Sequence, residues 1–255
     1  MNATYSKAIT DIVSAKMPTH MPRPCLQLII RGCLFAAVLL AVTLPAINGQ
    51  SAENATSKAT CIDLSKYFTA QLTNSLNSPS SVTENNLASL PKGRQVFSGV
   101  PFEVGGLLQL SGKKLQEWGR NEYPESITGI KLAKRCQRLH LLHGAGGVFD
   151  PEGVTIAQLV LHYTDKSTRE IDIKTGVHIR DWWGDPKQEL SGKNSELAWT
   201  GTNPALKQYG GNQPGSLRIY KTTFENPQLG DTIEAIDYVS TMQNSSPFLI
   251  GLTIE

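Results

Sequence analysis

The stretch Val154–Lys174, VTIAQLVLHYTDKSTREIDIK, decides the fold. Ala157, Leu159, Leu161 and Tyr163 fall on one side of an extended chain, and Ile156, Gln158, Val160 and His162 on the other. After the polar turn Thr164-Asp165-Lys166-Ser167, Arg169, Ile171 and Ile173 oppose Glu170, Asp172 and Lys174. Period-two alternation puts successive side chains on opposite faces, so 154–163 and 168–174 read as an antiparallel hairpin with one face in a core.

The pattern extends in both directions. Thr128, Ile130 and Leu132 share a face in 127–133. In the final segment Phe248, Ile250, Leu252 and Ile254 alternate with Leu249, Gly251 and Thr253. Turn chemistry separates the segments, as in Asp150-Pro151-Glu152-Gly153 and Asn226-Pro227. Helical periodicity is weak, with at most one short turn at Gly112–Gly119. Thr73–Asn86, rich in Ser, Asn and Thr, reads as a surface loop. Nine or ten short strands make the expected class all-β, an antiparallel β-sandwich or jelly roll.

Upstream, Cys33–Leu44, CLFAAVLLAVTL, follows Arg23 and Arg31 and precedes Pro45, Ala46 and Gly49. About a dozen apolar residues fall short of the roughly 20 that span a bilayer, and basic flank plus small residues is the signal-peptide pattern. Residues 1–49 are therefore expected to be a signal peptide, with Met21 as an alternative start. Residues 50–60 are expected to be a disordered tail, and 61–255 a single domain. A secreted or periplasmic product without a stable membrane anchor follows. Cleavage takes four basic and one acidic side chain from totals of 24 and 22, leaving 20 and 21 and a net charge of −1. So balanced a surface offers no footprint for nucleic acid. Cys61 and Cys136 remain, and two readings stand: a disulfide formed in an oxidising compartment, or Cys136 as a small buried hydrophobe.

Several phrases carry a resemblance across nearly all of 61–255. They are Leu90-Pro91-Lys92-Gly93 with Phe97–Phe102, Arg138-Leu139-His140-Leu141-Leu142-His143-Gly144, Asp181-Trp182-Trp183, and the closing runs from Asn226 and from Phe248. Together they resemble exported bacterial domains of the galactose-binding-like jelly-roll superfamily, which often accompany secreted glycoside hydrolases. That resemblance implies a non-catalytic module with carbohydrate as partner.

Asp181-Trp182-Trp183 is the most pointed local feature, since indole faces stack on pyranose rings and carboxylates accept sugar hydroxyls. Adjacent strand residues face opposite ways, so at most one of Trp182 and Trp183 joins a platform. The other enters the core, and Arg180 with Asp181 could instead form a structural ion pair. The candidate ligand contacts are Arg180, Asp181, Trp182, Trp183, Trp199 and Asn203. His140 and His143, three apart on a strand, point to opposite faces and cannot share a metal; no zinc-type spacing is present. Asp150, Glu152 and carbonyls near Gly153 could seat a structural calcium, or form a plain turn. No nucleophile elbow or phosphate loop is found, so no catalytic residue is nominated. Carbohydrate binding, docking of an envelope protein and polysaccharide hydrolysis are the functional readings, in that order.

Overall fold

A computed structural model describes residues 59–210 and 215–255. The expected signal peptide and most of the expected tail lie outside these residues. Within them, no helix is long and apolar enough to cross a membrane.

Among the described residues thirteen strands are formed: β1 (Thr60–Cys61), β2 (Gly93–Phe97), β3 (Val100–Val104), β4 (Leu108–Gln109), β5 (Ser126–Lys134), β6 (Arg138–Gly146) and β7 (Thr155–Tyr163), followed by β8 (Thr168–Lys174), β9 (Trp183–Gly184), β10 (Ser195–Gly201), β11 (Ser216–Glu225), β12 (Ile233–Ser240) and β13 (Ser246–Ile254). Two short helices accompany them, α1 (Lys113–Glu117) and α2 (Pro204–Tyr209). The larger sheet runs β1-β13-β6-β11-β10, with β4 on β13 and β9 on β11. The smaller runs β5-β12-β7-β8, and both are antiparallel. The hairpin read from Val154–Lys174 is β7–β8, with Leu159 opposite Ile171.

The two sheets enclose one core. Leu139, Leu141, Leu249 and Leu252 of the larger sheet meet Ile130, Leu159, Leu161, Ile236 and Tyr238 of the smaller. The protein is thus an all-β antiparallel sandwich. A third layer covers the outer face of the larger sheet. Phe97, Phe102 and Val104 of the β2–β3 hairpin, with Leu72, Leu76, Leu87 and Leu90, pack on Leu142, Leu217, Ile219, Phe248 and Ile250. Every residue of β13 is consequently buried.

Three expectations are corrected by this arrangement. The face expected for β13 is split by a bulge between Leu249 and Gly251. Phe248 and Ile250 enter the outer core, while Leu249, Leu252 and Ile254 enter the inner one. An extra residue in one strand reverses side-chain direction beyond it. Thr73–Asn86 is no plain surface loop, because Leu76, Asn77, Ser78 and Asn85 are buried beneath it. Asn85 donates from Nδ2 to Leu76 O at 2.7 Å, supplying a buried carbonyl with the partner it needs. Thr60, placed in the expected tail, pairs with Ile254.

The disulfide is also corrected: Cys61 and Cys136 are both free. Cys61 Sγ lies on the outer face, 3.4 Å from Pro101 O, whereas Cys136 belongs to the inner core. The sheet stands between them. Burial pushes the Cys136 thiol up to about 11, so it sits as a neutral apolar group.

A polar cleft where two strands part

β6 and β11 pair from Arg138–Glu225 up to His143–Tyr220. Beyond that point they separate, and residues 181–184 fill the gap. Trp182 N donates to Ala145 O at 2.8 Å, and Arg218 N donates to Trp182 O at 2.7 Å. Leu217 then pairs with Trp183 and Ser216 with Gly184. The expected binding motif is thus a wedge between two strands, with its backbone groups satisfied on both sides.

Trp182 is 2% exposed and packs edge-on against Phe248, with ring centroids 5.9 Å apart. It belongs to the core and is removed from the ligand contacts. Trp183 is half-buried beside it, and its Nε1 donates to Asn85 Oδ1 at 3.1 Å. Asn203 is also buried: its Oδ1 caps α2 by accepting from Leu206 N at 2.7 Å, and its Nδ2 donates to Asn85 Oδ1 and Asn86 O. That carboxamide has a structural role, and its assignment as a ligand contact is corrected. Trp199 is half-buried against the outer core, its ring seated over Gly201, where a Cβ would stand 2.2 Å from the indole.

Arg180, Asp181 and Trp183 do come together, in the wall of a cleft of about 240 Å³. Glu152, Gln188 and Arg218 line it with them. Asp181 Oδ1 accepts from Trp183 N at 2.8 Å and Oδ2 from Val148 N at 3.0 Å. Burial pushes this carboxyl above the usual carboxylate range, against the pull of those two N–H groups and of Arg218. The alternative pairing of Arg180 with Asp181 is not formed. Arg180 instead donates from Nε to Glu189 O at 2.7 Å, and its Nη2 lies 3.6 Å from Glu152 Oε2.

Arg218 organises the floor. It is 2% exposed, yet its guanidinium meets no carboxylate within ion-pair distance. It donates to Asp181 O (2.6 Å from Nη2), Asp185 O (2.9 Å), Trp183 O (3.3 Å) and Gln188 Oε1 (3.1 Å). Such a fan of acceptors satisfies a buried guanidinium and fixes the path of 181–188. Glycine at 184 is required for the approach, since a Cβ there would lie 2.3 Å from Arg218 Nη2. Arg218 does not stand out in the sequence as a site residue; its trace is a charged side chain between Leu217 and Ile219.

Asp150, also in the cleft wall, has its carboxylate already engaged. Its oxygens accept from Asn244 N and Nδ2 and from Ser245 N and Oγ, the last at 2.5 Å. Glu152 is turned to Arg180, its Oε2 3.6 Å from Nη2. Among the described residues, no group of three or more His, Cys, Asp or Glu side chains is placed to hold a metal. His140 bonds Thr223 Oγ1 and Glu255, while His143, on the opposite face, bonds Thr222 Oγ1 at 2.8 Å.

No protein-family model matches the chain, and no curated protein matches it.

Proposed function

We propose that this chain is an exported, non-catalytic binding module of the galactose-binding-like jelly-roll type, and that it takes a carbohydrate into the cleft between Glu152, Arg180 and Trp183. The observation that carries the reading is the make-up of that cleft. Two guanidiniums, a carboxamide and carboxylates surround it, with a half-buried indole in the wall. Sugars need donors and acceptors beside an apolar face; Arg180 and Glu152 offer them at the opening, while Asp181 and Arg218 are already partnered and shape the wall. At about 240 Å³ the cleft lies below the roughly 300–1,000 Å³ of most small-molecule pockets, which favours one sugar ring over an engulfed chain.

A binding role is supported over hydrolysis by the state of Asp181. Both its oxygens already accept backbone N–H groups, which suits an orienting carboxylate better than one that must exchange protons. The test is glycan-array binding by the full chain beside its Arg180→Ala variant, whose side chain reaches the cleft without supporting the core. The expected result is saccharide binding in the parent and at least about tenfold weaker binding in the variant, with an unchanged melting temperature. Equal binding by both proteins, or none by the parent, would overturn the reading.

A further inference from the structure

Phe149 is 51% exposed, one of four large hydrophobic side chains that stand out into solvent among the described residues. A lone exposed phenylalanine normally needs no explanation. This one differs because the backbone on both sides of it is fixed. Val148 N is bonded to Asp181 Oδ2, and Asp150 is held by Asn244 and Ser245. Phe149 N itself donates to Gly147 O at 2.9 Å. Gly147, at φ +60, makes the turn that left-handed backbone allows, and Trp118 and Lys114 flank it at 3.6–3.8 Å from where a Cβ would be. Both neighbours of Phe149, Val148 and Asp150, line the cleft. A pinned loop thus holds an aromatic ring in water, in chain order between two residues of the cleft wall. Lys114 Nζ lies 5.6 Å from the ring centroid and steadies the ring from one direction.

We infer that Phe149 is the stacking platform of a second subsite, so that the ligand is a glycan of at least two pyranose units, one in the cleft and the next on this ring. The inference rests on the carbohydrate reading of the cleft and deepens it. Rigid presentation is what gives a solvent-facing ring its value, because little conformational freedom remains to be lost on binding. The cleft supplies directional hydrogen bonds to the first unit. The ring supplies contact area to the second, tolerating variation in its hydroxyls.

The experiment is titration calorimetry of the full chain with glucose, galactose and xylose series, each as mono-, di- and trisaccharide. The parent is expected to bind the disaccharide of the accepted series about three- to tenfold more tightly than the monosaccharide, the worth of an ordinary aromatic contact. Phe149→Ala should lose that gain while keeping the monosaccharide affinity and the melting temperature, and Phe149→Tyr should restore it. A gain that persists in Phe149→Ala, or a parent that binds mono- and disaccharide equally, overturns the second subsite and leaves the cleft reading standing. Failure of the parent to bind any series overturns both.

Discussion

Acidification should destabilise this domain through His143. Its imidazole is fully buried on the inner face of β6, bonded through Nε2 to Thr222 Oγ1. Its Nδ1 has no hydrogen-bond partner. Burial, helped slightly by His178, pushes it from the ordinary 6.5 down to about 3. The unfolded chain therefore takes up a proton near pH 6.5 that the native state refuses until about pH 3. Across that window unfolding absorbs one proton, so this contribution is complete above the unfolded value and is lost as the pH falls. The slope is about 1.4 kcal/mol per pH unit, or about 2 kcal/mol between roughly pH 6.5 and 5. Denaturant melts at several pH values in that range, on the parent and on His143→Leu, isolate the effect. His140 and His178, held low by burial, and Asp181, held high, are common to both proteins and cancel. The variant should show a pH dependence shallower by about one proton. Parallel pH profiles for the two proteins would refute the burial argument.

Two further outcomes follow from the placement of single residues. Trp182→Ala should cost about 3–5 kcal/mol, the ordinary penalty for emptying a large aromatic site in a core, and Trp183→Ala distinctly less, as paired denaturant melts would measure. Similar losses for both would mean the indoles share one environment. Because Cys61 and Cys136 face opposite sides of the larger sheet, a reductant should leave the melting temperature unchanged. A thiol reagent should then count two free groups in the denatured, unreduced domain.

What the sequence made legible was the local part of the fold. The β7–β8 hairpin carries its register in its own alternation and turn, so neighbouring residues suffice to read it. The same holds for the opposite faces of His140 and His143, and for the short helix near Gly112. The third layer was not legible. Leu72, Leu76, Leu87 and Leu90 lie in a segment whose composition is that of a loop, and only the outer face of the larger sheet gives them something to cover. A strand buried on both sides loses the alternation that marks a half-buried one. The bulge at Leu249–Gly251 then shifts the remaining pattern by one residue.

The site divides the same way, and the division explains which of the two indoles enters the core. An Asp-Trp-Trp run at the end of a strand reads as a display of aromatics, because sequence alone gives it one strand's worth of neighbours. In the fold it has two, since β6 and β11 separate above His143–Tyr220 and take 181–184 between them. That insertion bonds the backbone of Trp182 on both sides and sends its ring into the outer core. It also leaves Asp181, Trp183 and Gly184 along the opening where Arg218 fans out beneath them. The cleft is therefore a consequence of strand separation, and Arg218 closes the lower side by linking residues 181, 183, 185 and 188. A residue that joins four others across a gap in a sheet has no sequence neighbourhood to announce it. Its one trace was a charge between the buried Leu217 and Ile219, where burial without acceptors would be prohibitive. Wherever an inward strand position carries arginine, the acceptors must come from a segment the strand pattern does not show, and that segment is where a site should be sought.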